Sequence, residues 1–273
     1  MNSASISDVA VPSGGTGSDP LNATGGASDT AVRLEHVSKS FGTRTVLDDV
    51  TFAVPKSRTF CLLGRSGTGK SVTLRHIIGL VSPSAGKVFI EERDISSLTH
   101  RQLSEVRTRM GFLFQAAALF DSMTVGENVA FPLRRHTRLA EQEILDRAKA
   151  KLADVGLDRE FDKMPADLSG GMQKRAGLAR ALALDPPVLL VDEPSAGLDP
   201  ITADEIDDLL LGLKKHGGTT LIVVTHNIPS ARRLGDFIVM LHDGRVIARG
   251  TPDELDRSDD ELVRGFMTSR HSG

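Results

Sequence analysis

One stretch narrows the fold more than any other. Residues 64–71 read GRSGTGKS and match G-x-x-x-x-G-K-[ST]; they follow TFCLLG (59–64), a short apolar strand, and lead into a helical run over 70–80. Strand, glycine-rich loop and helix in that order form a phosphate cradle. The backbone N–H groups of residues 65–71 wrap a β-phosphate, and the helix start adds the positive end of its dipole. Lys70 then reaches the β- and γ-phosphates, and the Ser71 hydroxyl binds Mg²⁺. The loop therefore predicts a nucleoside triphosphate site.

The rest of such a site should sit at the ends of neighbouring strands. VLLVDEP (188–194) places Asp192 and Glu193 at the C-terminal end of an apolar strand, the ligand edge of an open α/β sheet. Asp192 is the expected Mg²⁺ partner. Glu193 is placed to polarise an attacking water. An acidic pair after a strand is ordinarily a solvated strand end; the P-loop changes its meaning. Two further polar residues end strands: Gln115 closes MGFLFQ (110–115) and His226 closes LIVVTH (221–226). A lone histidine is usually structural, but this one falls on the same sheet edge. Gln115 can reach the metal or the water, and His226 the γ-phosphate.

Around these motifs the chain alternates. Residues 32–38 and 45–54 read as strands, as does KVFIEERDI (87–95). Residues 99–184 read mostly as helix, with Ile144, Ala148, Leu152 and Val155 as one packing stripe. Strand 188–192, helix 200–216, strand 220–226, helix 228–234 and strand 237–241 follow. Their strands are continuous apolar runs, as expected of a parallel sheet covered on both faces. Asp243-Gly244 marks a tight hairpin. Residues 1–31 are poor in apolar side chains and read as a disordered tail.

Totals exclude several classes. The chain has 273 residues and 40% apolar side chains, enough for a real core. A net charge of −3 argues against nucleic acid as the main partner. The single cysteine, Cys61, fits a reducing compartment and a buried thiol. The longest purely apolar runs are strand-length, whereas a membrane-spanning helix needs about 20 residues. Residues 1–32 contain no Lys or Arg and read as no signal peptide.

A second helix start resembles a phosphate site without its lysine. LSGGM (168–172) precedes QKRAGLARALAL. Ser169 alone would be explained as a helix cap. The paired Gly170 and Gly171 are better explained by close approach of an anion.

GRSGTGKS, Gln115, LSGGM, VLLVDEP, SAGLD (195–199) and His226 stand in the order and approximate spacing of an ABC-type ATPase cassette, which residues 32–250 resemble. That resemblance implies an α/β fold: a P-loop NTPase (RecA-like) core with an antiparallel β subdomain and an inserted helical signature subdomain, about 99–184. It implies ATP contacts from Gly64, Arg65, Ser66, Gly67, Thr68, Gly69, Lys70, Ser71 and Val72. It implies hydrolysis by Glu193, His226 and Gln115, with Ser71, Gln115 and Asp192 on Mg²⁺. In this family the Ser169-Gly170-Gly171 start binds the γ-phosphate held by a second copy, so two chains sandwich two ATP molecules. Asp199 would signal across that interface. Phe41 stands where the family stacks an aromatic ring on adenine; the chain has no Tyr or Trp.

Most single cassettes of this family power a membrane transporter. GFLFQAAALFDSMTVGENVAFPLR (111–134), LSGGMQKRAGLARALAL (168–184) and DDELVRGFM (259–267) resemble the ATPases of MCE-type lipid transporters, including the Mla phospholipid system. The implied partners are a transmembrane permease, gripped by residues 116–136, and an MCE-domain lipid-binding protein, with the cassette on the cytoplasmic face of a bacterial inner membrane. Residues 251–273 form a C-terminal tail expected to touch a partner or the other cassette. An amino-acid importer ATPase and a non-transporting cell-division ATPase are the alternatives. DNA-repair ATPases of similar chemistry need a coiled-coil insertion that is missing here.

Overall fold

A computed structural model describes residues 29–216 and 218–268. In chain order the strands are β1 (Thr30–Phe41), β2 (Arg44–Pro55), β3 (Thr59–Leu63), β4 (Ala85–Ile90), β5 (Arg93–Asp94), β6 (Met110–Leu113), β7 (Val188–Asp192), β8 (Thr220–Thr225), β9 (Phe237–His242) and β10 (Arg245–Gly250). The helices are α1 (Lys70–Ile77), α2 (His100–Arg107), α3 (Val125–His136), α4 (Glu141–Asp154), α5 (Gly170–Ala181), α6 (Pro200–His216), α7 (Ile228–Leu234), α8 (Pro252–Asp256) and α9 (Glu261–Thr268).

The main sheet runs β10-β9-β3-β8-β7-β6, parallel except for β10. Alternation along each strand divides its side chains between two cores. Phe60 and Leu62 of β3 face one, Cys61 and Leu63 the other. Both faces are covered, so no polar face is needed and the strands read as unbroken apolar runs. On one face, α1 lies between this sheet and an antiparallel sheet of order β2-β1-β4-β5. On the other, α3 to α9 close over Leu189, Val191, Val223 and Met240. Fully burying each Leu, Val or Ile contributes about 1.5–3 kcal/mol.

The strand expected within the mostly helical stretch 99–184 is present as β6, which joins the edge of the main sheet beside β7. Other elements differ from the sequence-based expectation. KVFIEERDI is two strands, turned at Glu91 (φ 45°) and Glu92 (φ 70°). The expected disordered tail, 1–31, lies outside the described residues up to 28; Thr30 and Ala31 already belong to β1. The described part of the C-terminal tail forms α8 and α9, and Leu255, Val263 and Met267 pack into the chain's own core. The hairpin at Asp243-Gly244 is present, with both residues at positive φ.

Candidate functional site

Strand order sets the site. β8 lies between β3 and β7. The residues just beyond the C-terminal ends of these three strands therefore meet: the P-loop after β3, His226 after β8 and Glu193 after β7. They line a cavity of about 360 Å³ that also takes in Gln115, beyond β6.

The P-loop is shaped by close contact. Gly69, the residue before α1, has φ 104°, and a Cβ there would meet Leu47 Cδ2 at 2.5 Å and Val46 O at 2.9 Å. Only glycine fits both the left-handed backbone and the space. Arg65, Ser66, Gly67, Gly69, Lys70, Ser71 and Val72 line the cavity. Gly64 and Thr68 support it instead: Lys70 Nζ donates to Gly64 O at 2.8 Å, and Thr68 Oγ1 to Arg65 O at 2.9 Å.

Lys70 is 4% exposed, and its ammonium also lies 3.4 Å from Glu193 Oε1. Glu193 is 7% exposed. Its Oε2 accepts from His226 Nδ1–H at 2.9 Å and from the His226 backbone N–H at 3.2 Å. Glu193 sits at φ 47°, a left-handed conformation that costs a non-glycine residue free energy and persists where its surroundings impose it. The arrangement is a buried carboxylate held between a cation and an imidazole beside the P-loop.

Ser71 Oγ donates to Asp192 Oδ1 at 3.1 Å. Burial holds the Asp192 carboxyl above the usual carboxylate range, against the lowering effect of that hydrogen bond. A hydroxyl and a carboxylate brought together are hard oxygen donors, and they fit Mg²⁺.

The remaining expected residues stand apart from the cavity lining. Phe41 is half exposed at the end of β1, with Lys39 Nζ 5.1 Å from its ring centroid. Ser169 caps α5, accepting from Met172 N–H at 3.3 Å; among the described residues its own O–H has no acceptor. Gly170 is exposed, whereas Gly171 has an in-chain reason: a Cβ there would meet Thr202 Cγ2 at 2.4 Å. Asp199 caps the start of α6, accepting from Ile201 N–H and Thr202 N–H at 3.1 Å each and from Thr202 Oγ1 at 2.6 Å. Val46, Ile228 and Phe266 line the cavity although none is a candidate site residue in the sequence. The i, i+4 pair Val263 and Met267 marks α9 as a packing helix, but no sequence signal says that its Phe266 ends at this site.

A P-loop, an acidic strand end and a strand between them define a nucleotide-hydrolysing α/β domain. The comparisons give the family. Residues 47–196 match the family model described as ABC transporter. The chain is 43% identical over 243 residues to the "Probable ribonucleotide transport ATP-binding protein mkl" of Mycobacterium tuberculosis, covering 89% of this chain and 68% of that one. It is 38% identical over 236 residues to the "Intermembrane phospholipid transport system ATP-binding protein MlaF" of Escherichia coli, covering 86% and 88%. Among solved structures, the dimeric post-hydrolysis cassette MJ0796 bound to ADP and Pi superposes with a TM-score of 0.75 at 35% identity, covering 81% of this chain and 98% of that one. The chain belongs to the ABC transporter ATP-binding family, and it is an ATPase subunit of that family.

Proposed function

We infer that two copies of this chain sandwich two ATP molecules and drive a permease that moves phospholipid or another hydrophobic molecule between membranes, with an MCE-domain protein as the cargo-binding partner. The observation that carries the two-chain reading is the placement of Ser169 and Gly170. They are exposed at a helix start outside their own chain's cavity, and among the described residues the serine O–H has no acceptor. The dimeric state named for MJ0796 supports it. The lipid reading rests on the likeness to MlaF over most of both chains.

In hydrolysis, Lys70 leaves the carbonyls of Gly64 and Arg65 for the β- and γ-phosphates. Glu193 orients the attacking water and takes its proton; His226 holds the carboxylate in place. Ser71, Asp192 and Gln115 would hold Mg²⁺, which when bound neutralises charge on the phosphates. Phe41 offers an open ring face to adenine. Ser169, Gly170 and Gly171 bind the γ-phosphate of the partner's ATP, and Asp199 meets the partner near it.

Phe120 and Phe131, with ring centroids 5.1 Å apart, are both exposed on the helical side. They supply an apolar surface for a cytoplasmic permease helix. Among the described residues no helix is long and apolar enough to cross a membrane. In this reading the chain sits on the inner membrane through that permease.

The test is affinity purification of the tagged chain from detergent-solubilised native membranes, with mass spectrometry of proteins and lipids. A permease with an MCE-domain protein and bound phospholipid is the expected result. A permease with a soluble solute-binding protein and a polar cargo would replace the lipid reading with small-molecule transport, as the name of the mycobacterial relative suggests for that protein. A lone membrane partner without cargo would make the chain a signalling ATPase.

A further inference from the structure

Glu193 is held at more points than its carboxylate. Its N–H donates to Val224 O at 2.8 Å, and its C=O accepts from Ala196 N–H at 3.2 Å. The same C=O accepts from Lys174 Nζ, also at 3.2 Å. Lys174 is 5% exposed and lies one turn into α5, the helix that starts at Ser169-Gly170-Gly171. A lysine is rarely buried to this degree without a partner, and this is its one hydrogen bond among the described residues. Burial pulls its pKa down; Asp192 and Glu193 oppose that by favouring the charged form.

We propose that Lys174 is a positioning residue for the hydrolytic reaction: its buried ammonium pins the backbone carbonyl of Glu193, and so fixes where the base points. The left-handed φ of Glu193 makes the pin necessary. Such a conformation relaxes unless its neighbours impose it. Lys174 supplies the restraint from a different element, and its charge offsets part of the negative charge of Asp192 and Glu193. One helix then carries both ends of a link. Its first turn faces the partner's nucleotide, and its second turn holds this chain's own base. A shift of α5 on meeting a γ-phosphate moves Lys174, and with it the backbone of Glu193.

This rests on the reading of Glu193 as the base, so both residues are tested in parallel on the full chain. Lys174→Met keeps length and helix propensity but removes donor and charge. The carbonyl that Lys174 contacts also accepts from Ala196 N–H and is not left unpaired by the change, so the variant is expected to stay folded with most of its unfolding midpoint. Its kcat should fall about 10- to 100-fold, the scale of a misplaced catalytic group, while its ATP affinity stays within about 3-fold. Lys174→Arg, which retains donor and charge, should recover part of that loss. A Lys174→Met chain with wild-type kcat, beside a Glu193→Gln chain that hydrolyses slowly, overturns the role of Lys174 alone. A Glu193→Gln chain at the wild-type rate removes the base and the pin together. A Lys174→Met chain that loses midpoint, ATP affinity and kcat in parallel shows a structural lysine and also overturns the proposal.

Discussion

Lys70 shows how one buried charge is kept ready. Its ammonium is satisfied by Gly64 O at 2.8 Å, Arg65 O at 3.0 Å and Glu193 Oε1 at 3.4 Å. An unpaired charge at this depth would be costly, so the loop supplies stand-ins for phosphate oxygens. Lys70→Ala removes a charged hydrogen-bond donor of about 1.5–3 kcal/mol. Equilibrium binding should therefore show ATP affinity reduced about 10- to 100-fold. Asp207 presents the opposite case. It is 4% exposed and accepts from Ser230 Oγ at 2.9 Å, and burial holds its carboxyl above the ordinary range. The folded state therefore keeps this proton more tightly than the unfolded chain does. Stability from this group is greatest at acid pH and is lost as pH rises past the unfolded carboxylate value. Asp207→Asn keeps the acceptor and cannot ionise. Its unfolding midpoint should exceed that of the wild type near pH 7, and the gap should close towards roughly pH 3.

At the scale of elements, loop 114–124 is built around Asn128 of α3. This fully buried amide accepts from Phe120 N–H at 2.8 Å and donates to Phe120 O, Met123 O and Thr124 O. Arg180 of α5 adds hydrogen bonds of 2.9 Å to Ala117 O and Ala118 O, two residues at positive φ. Asn128→Ala takes the partner from Phe120 N–H and Met123 O, at a cost of about 2 kcal/mol, readable in chemical denaturation. It should also weaken co-purification of a permease, since Phe120 belongs to the surface proposed for one. Such a loop is not legible in sequence, because its hydrogen bonds join residues whose types suit many turns. What was legible had a period or a punctuation mark. The stripe Ile144, Ala148, Leu152 is buried as its spacing predicts, and Asp243-Gly244 turns as such a pair should. The β4–β5 turn uses Glu91 and Glu92 at positive φ, where no Gly or Asn announces it. The site divides the same way. The P-loop, Gln115, Glu193 and His226 reach the cavity because strand ends share an edge; Phe266 reaches it through packing of a helix far along the chain.

For the whole molecule, the proposed site joins a sheet edge to a helix start, Ser169-Gly170, that lies outside the cavity at that edge. Ser169→Arg places bulk at that start. Losing the cap costs about 1 kcal/mol, small beside the stability of a domain this size, so the chain should fold and bind ATP while hydrolysis is lost. A variant that still turns over at the wild-type rate would make each chain a complete enzyme. Cys61 bears on how that distinction can be seen. It is the only cysteine in the chain, it is fully buried on β3, and burial raises its thiol far out of the reactive range. The native chain is thus already silent to maleimides and nitroxide reagents. One thiol engineered near Ser169 would label alone, and a spin–spin distance between two copies would report the closing of the pair directly, with no residue of the original core removed.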